Sequence, residues 1–293
     1  MKNYIALLFF ASMLIGCETV VDVDIPLSER RLVVNSLSNP DSIWNVSIAL
    51  SRHVLDNSNR FEIPATSSVT ITDLANNMMV EQLKLSQDDF RYKGSFKPEV
   101  EKEYLLKVVT PRYGTVEAVG YIPAKVAMDK VEIDNTNLSP DGMASVKIHF
   151  KDPASKKDFY RLTIIEEGFY VNFFTKDTIR YRRPAYFEVD DPALKSNFNF
   201  GNELLVDDTF FDGDNYVLAI KISSHLTHPG NPFPATLILS TLSEAYYRYS
   251  TTRNLQLSTD GDPFAQPVLV YNNIQNGLGI FGGYNQSVFV LKK

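Results

Sequence analysis

The stretch Trp44-Asn45-Val46-Ser47-Ile48-Ala49-Leu50 decides the fold class of this chain. Trp44, Val46, Ile48 and Leu50 fall on one side of an extended backbone, and Asn45, Ser47 and Ala49 on the other. A period of two marks a strand with one buried face, whereas a helix repeats near 3.6. The alternation returns in residues 68–74, and strand-like runs continue through residues 104–109 and 115–122. Residues 32–37, 78–85 and 90–96 add short runs, with Ser38-Asn39-Pro40-Asp41 and Ala75-Asn76-Asn77 as turns between them. About eight strands at roughly ten-residue spacing predict an immunoglobulin-like β-sandwich over residues 30–123, closed by Pro123.

Outward from there, residues 124–293 read as a second, larger β-rich domain. Residues 130–133, 144–150 and 159–165 are strand-like, with a turn at Ser139-Pro140-Asp141-Gly142. Phe169-Tyr170-Val171-Asn172-Phe173-Phe174 is a strongly aromatic strand. Residues 178–205 read as short strands with a long loop, and residues 216–223 and 235–240 as further strands. Leu242, Tyr246, Tyr249 and Arg253 recur at helical spacing behind Ser243, an N-cap residue, and predict one short helix. Residues 267–271, 281 and 287–291 return to β structure. Asn276-Gly277 suits a type I′ hairpin turn, in which both central residues take positive φ. Gly279, Gly282 and Gly283 permit a close backbone approach, either to close a sheet or to cradle a ligand. No lysine accompanies them as in a phosphate loop. The predicted fold is all-β and mainly antiparallel.

Composition narrows the function. The chain has 293 residues, 44% hydrophobic and 22% charged, which is ordinary for folded domains. Aromatic residues reach 12%, consistent with strands. Against 35 acidic residues stand 29 basic ones, a balance that argues against a nucleic-acid binder. A single cysteine, Cys17, excludes an intrachain disulfide and a cysteine metal cluster.

That cysteine ends a distinctive leader. Met1-Lys2-Asn3 is followed by an apolar run over residues 4–15. Twelve helical residues reach about 18 Å, short of the roughly 30 Å hydrocarbon core, so the run suits a secretory signal and not a membrane span. It closes in Leu14-Ile15-Gly16-Cys17, which resembles a bacterial lipobox. Cleavage before Cys17 and acylation of its thiol and amine would leave two or three chains to hold residues 17–293 on a membrane. Residues 1–16 are then the signal peptide, and residues 17–29 an acidic tether with Glu18, Asp22 and Asp24. The expected location is the outer membrane, facing the cell surface or the periplasm.

Catalytic motifs are absent: there is no Gly-x-Ser-x-Gly, no His-Glu-x-x-His and no phosphate-binding glycine loop. His225 and His228 are close in sequence, but a zinc site would need two further ligands. Residues 207–215, rich in aspartate, form either an extracellular-type Ca²⁺ site or a plain turn, without the spacing of an EF-hand. No other cofactor is expected. Tyr181, Tyr186, Phe198, Phe200, Phe233 and Phe264 sit among Pro, Asn and Gly, where aromatics either meet a ligand or partner or plug the ends of sandwiches.

One resemblance spans nearly all of residues 17–293. Asp262-Pro263-Phe264-Ala265-Gln266-Pro267-Val268, Tyr271-Asn272-Asn273-Ile274 and Asn276-Gly277-Leu278-Gly279-Ile280-Phe281-Gly282-Gly283-Tyr284 resemble the domain of unknown function 4249 family of Bacteroidota lipoproteins. Leu32-Val33-Val34-Asn35, Phe96-Lys97-Pro98, Tyr104-Leu105-Leu106-Lys107-Val108 and Leu242-Ser243 with Tyr246 to Tyr249 are similar as well. The resemblance implies an exported lipoprotein with β-sandwich domains, often encoded beside a TonB-dependent receptor. The expected role is a non-enzymatic accessory subunit of such a receptor or another outer-membrane β-barrel. Capture of glycans or peptides is the alternative, and a hydrolase the third class.

Overall fold

A computed structural model describes residues 29–53, 56, 61–66, 68–154, 156–194, 198–199, 201–228, 231–260 and 264–291. The leader, Cys17 and nearly all of the tether lie outside the described residues, as does Phe200; of Phe198 the backbone alone is described.

Among the described residues the fold is all-β with one short α-helix. Its strands are β1 (Leu32–Ser38), β2 (Asn45–Leu50), β3 (Ser68–Asp73), β4 (Met78–Gln82), β5 (Lys84–Leu85), β6 (Tyr92–Lys93), β7 (Lys102–Thr110) and β8 (Gly114–Ile122). There follow β9 (Met128–Asp134), β10 (Met143–Lys151), β11 (Phe159–Val171), β12 (Thr178–Pro184), β13 (Phe187–Val189), β14 (Phe198–Asn199) and β15 (Glu203–Asp207). β16 (Asn215–Ser223), β17 (Thr236–Leu242), the helix α1 (Glu244–Thr259) and β18 (Leu278–Val290) complete the series.

Two sandwiches result. In the first, β4-β3-β7-β8 packs on the β1-β2-β6-β5 part of a long sheet. The alternation in β2 buries Val46, Ile48 and Leu50, as expected of a strand with one face inward. Trp44, fully buried, meets Tyr104 edge to face at 4.9 Å between ring centres. In the second, β13-β16-β10-β9 packs on β14-β15-β11-β17, around Ile148, Tyr160, Phe187, Phe211 and Ile220.

β18 serves both. Residues 278–283 pair in parallel with β1, and residues 284–290 pair antiparallel with β17. Phe281 lies in the first core, while Phe289 packs against the second. Glycines make the handover possible. Gly279 has φ 117°, and a Cβ there would stand 2.1 Å from the Val34 carbonyl oxygen. A Cβ on Gly283 would stand 2.2 Å from the Tyr121 carbonyl oxygen. Asn273 holds the incoming strand through its side chain, accepting from the Phe281 amide at 2.9 Å and donating to its carbonyl at 2.8 Å. Ser243 caps α1 through its hydroxyl, which accepts from the Tyr246 amide at 3.3 Å and from the Gly283 amide at 3.1 Å.

The terminal glycine block is therefore a partner-switching strand and not a hairpin. Asn276 has φ 59°, but Gly277 is not left-handed, so the type I′ turn does not form. Gly277 is needed for space, since a Cβ would sit 3.0 Å from the Leu32 carbonyl oxygen. Residues 267–271 are not a strand; they form part of the connection from α1.

Candidate functional site

β11 is longer than the sheet that holds it. Residues 159–165 pair with β17 and residues 159–163 with β15, but from Glu166 onward β12 is the partner. The chain therefore leaves the sheet as a two-stranded ribbon of about 20 Å, at 3.3 Å per residue. Asn172 shapes its tip: the Phe174 amide donates to Asn172 Oδ1 at 2.9 Å, and the Lys176 amide, with φ 62°, to the Asn172 carbonyl at 2.9 Å.

Apolar side chains cover this ribbon. Phe169, Tyr170 and Val171 are exposed, and Phe173 and Phe174 at the tip are 78% and 90% exposed. Lys176 lies over the Phe173 ring at 4.5 Å. Arg182 pairs with Glu167 at 3.0 Å, and Arg183 pairs with the buried Glu166. Large exposed aromatics rimmed by cations have the composition of an interface centre. A ribbon of two strands has little stability of its own in water, so rings on both its strands and tip suit docking.

The predicted aromatic residues divide. Tyr181 belongs to the ribbon, folded over Gly168 where a Cβ would meet its hydroxyl at 2.5 Å. Phe233 meets Phe169 edge to face at 5.7 Å. Tyr186, 60% exposed, follows the ribbon in sequence and lies against Gly201. Phe264 is almost fully exposed between α1 and β18, in a separate part of the chain. Phe173 and Phe174, outside the predicted set, fall in the stretch whose sequence predicts an aromatic strand; the strand ends at Val171 and the two rings sit on the turn. The contrary signal is the loss of alternation from Phe169 onward, followed by Arg180, Arg182 and Arg183.

The aspartate-rich loop has a different structure. Asp207 caps a short 3₁₀ turn at Asp208–Phe210 by accepting from the Thr209 amide. Asp208 turns inward and meets Asp152, just after β10, and Asp158, just before β11. The three buried side chains bring carboxylate oxygens within 4.8 Å of one another. Asp152 accepts from the Gly213 amide at 2.9 Å and from the Tyr160 hydroxyl. Asp208 accepts from the Asp158 amide at 2.6 Å. Asp158 Oδ1 lies 3.9 Å from the Lys156 ammonium, and Asp158 Oδ2 is buried with no hydrogen-bond partner. Burial pushes the Asp158 carboxyl up to about 6 and also raises Asp152.

His225 and His228 border a separate hollow beside the ribbon base, with His225 Nε2 3.6 Å from Glu166. Among the described residues the metal-competent group of three is the aspartate cluster, and neither histidine belongs to it. A cleft of about 710 Å³ separates the sandwiches, bordered by Glu103, Tyr121, Lys156, Asp158, Tyr247 and Arg248. No helix among the described residues is long and apolar enough to cross a membrane.

No curated protein matches this chain. Residues 18–289 match the family described as Domain of unknown function (DUF4249). That span takes in both sandwiches, the ribbon, the aspartate cluster and nearly all of the strand that joins the two cores. On a match of this extent, the chain belongs to the DUF4249 family.

Proposed function

We propose that this protein is a lipid-anchored outer-membrane subunit that assists a TonB-dependent receptor or another outer-membrane β-barrel without catalysing a reaction. The observation that carries the reading is the exposed ribbon of β11 and β12, with Phe173 and Phe174 at its tip. Aromatic side chains at a protruding tip, with arginines along the ribbon behind them, suit the anchor of a protein–protein interface, where a few buried rings supply most of the affinity. The leader supports the membrane location, because Gly16-Cys17 follows an apolar run of signal-peptide length. Acyl chains on Cys17 would hold the body beside a barrel, and the high local concentration would let a modest ribbon interface suffice.

The test is affinity purification of the tagged full chain from mildly solubilised membranes, with the Phe173→Ala/Phe174→Ala variant alongside. A β-barrel protein should co-purify with the parent and fall at least tenfold with the variant, while both fold equally. Recovery of the parent alone overturns the proposal. So does a variant that keeps the barrel but binds lipid vesicles less, which would assign the ribbon to the bilayer. Replacing Cys17 with Ser should release the chain from membranes.

A further inference from the structure

The aspartate cluster poses an electrostatic problem that the fold does not solve. Three buried carboxylates stand within 4.8 Å of one another, and Asp212 adds to the repulsion felt by Asp158. Among the described residues the cation beside the cluster is Lys156, but it is 3.9 Å from Asp158, half in solvent and hydrogen-bonded to Tyr121 at 2.9 Å. Buried charge of one sign calls for a counter-charge or a proton. The carboxylates are also held in place. The Asp208 amide donates to the Asp158 carbonyl at 3.2 Å, while Asp158 returns its own amide to the Asp208 carboxylate. Gly213 and Tyr160 fix Asp152. Within this set Asp158 Oδ2 is buried and accepts no hydrogen bond. A rigid group of acids containing one buried oxygen without a donor is what a bound cation would complete.

We propose that Asp152, Asp158 and Asp208 bind one Ca²⁺, which ties the turn after β15 to the loop between β10 and β11. The donors are all oxygen, with no histidine or cysteine among them, which selects a hard cation. Three protein carboxylates favour Ca²⁺ over Mg²⁺, which keeps several waters and is usually held by one or two carboxylates. Opposed ligands of Ca²⁺ at 2.3–2.6 Å stand about 4.6–5.2 Å apart. The carboxylate oxygens lie within 4.8 Å of one another, inside the reach of a Ca²⁺ coordination sphere. Backbone carbonyls of the adjoining turn and water would complete the six to eight ligands that the ion takes.

The test is calcium titration of the full chain in detergent after chelator treatment, by calorimetry and thermal unfolding. One Ca²⁺ per chain should bind with a Kd below about 1 mM, as in extracellular modules. The ion should raise the unfolding temperature by several degrees. Tb³⁺ in its place should show luminescence excited through tyrosine, because Tyr160 donates to Asp152. In Asp158→Asn, affinity should fall at least tenfold, while stability in chelator should match or exceed that of the parent because repulsion is relieved. Asp208→Asn supplies the same readout should the first variant fail to fold. No binding at 10 mM Ca²⁺ overturns the proposal, as does binding that survives both substitutions. Mg²⁺ binding as tightly as Ca²⁺ overturns the choice of ion.

Discussion

The two sandwiches bury acids in opposite ways. In the first, Asp73 is buried against Lys102 at 3.0 Å and accepts from the Ala75 amide at 2.9 Å, so its charge is answered locally. In the second, Asp152, Asp158 and Asp208 lie together, and of the three only Asp158 has an ion pair among the described residues, with Lys156 at 3.9 Å. The apolar parts differ too. The first core closes around Trp44, whereas β11 of the second leaves its sheet and carries exposed rings outward. The first body thus answers its buried acid locally. The second keeps a buried cluster of like charge and a ribbon of exposed rings, features of the kind on which function is built.

The sharpest way to break that contrast is to empty each core. Trp44→Ala and Phe187→Ala remove fully buried rings, and each should cost about 3–5 kcal/mol. Denaturant unfolding measures both. Because β18 belongs to both sandwiches, each substitution should shift one shared transition; two separate transitions would show that the bodies are energetically independent. Gly283→Ala tests the junction itself. Its new Cβ would meet the Tyr121 carbonyl and Ile122, which should cost about 2–4 kcal/mol and split the transition in two. The smallest effect concerns acid. The Ala75 amide and Lys102 hold the Asp73 carboxyl below its ordinary 3.8, so the ion stabilises the fold above that pH. This contribution is lost as pH falls through the depressed value. Stability of the parent should drop below pH 3.8 more steeply than that of Asp73→Asn, and parallel curves would show that the pair adds nothing.

Much of the support was legible in the chain, and the reason is local. Alternation in residues 44–50 and 68–74 reports a sheet with one wet face, and Ser243 before Glu244-Ala245-Tyr246 reports a cap. These patterns need no knowledge of distant partners. The aspartate cluster does need it. Residues 207–215 stand out as acidic, but Asp152 and Asp158 lie some 50 residues away and are brought in by the pairing of β11 with β15. The ribbon's strand was legible in Phe169-Tyr170-Val171, but its exposure was not, because propensity cannot tell where the neighbouring strands stop. Asn276-Gly277 misled because its turn is set by the parallel approach to β1, a contact across some 245 residues.

That last contact bears on how the molecule is made. The first sandwich emerges early from the ribosome, yet its sheet lacks one strand until residues 278–283 arrive. Contacts so far apart in sequence form slowly. The early half must therefore wait, incompletely closed, for the late half. Such waiting would fit the exported role proposed above, in which folding follows passage across a membrane. It also makes completeness self-checking: a prematurely terminated product would leave both hydrophobic interiors open and invite proteolysis.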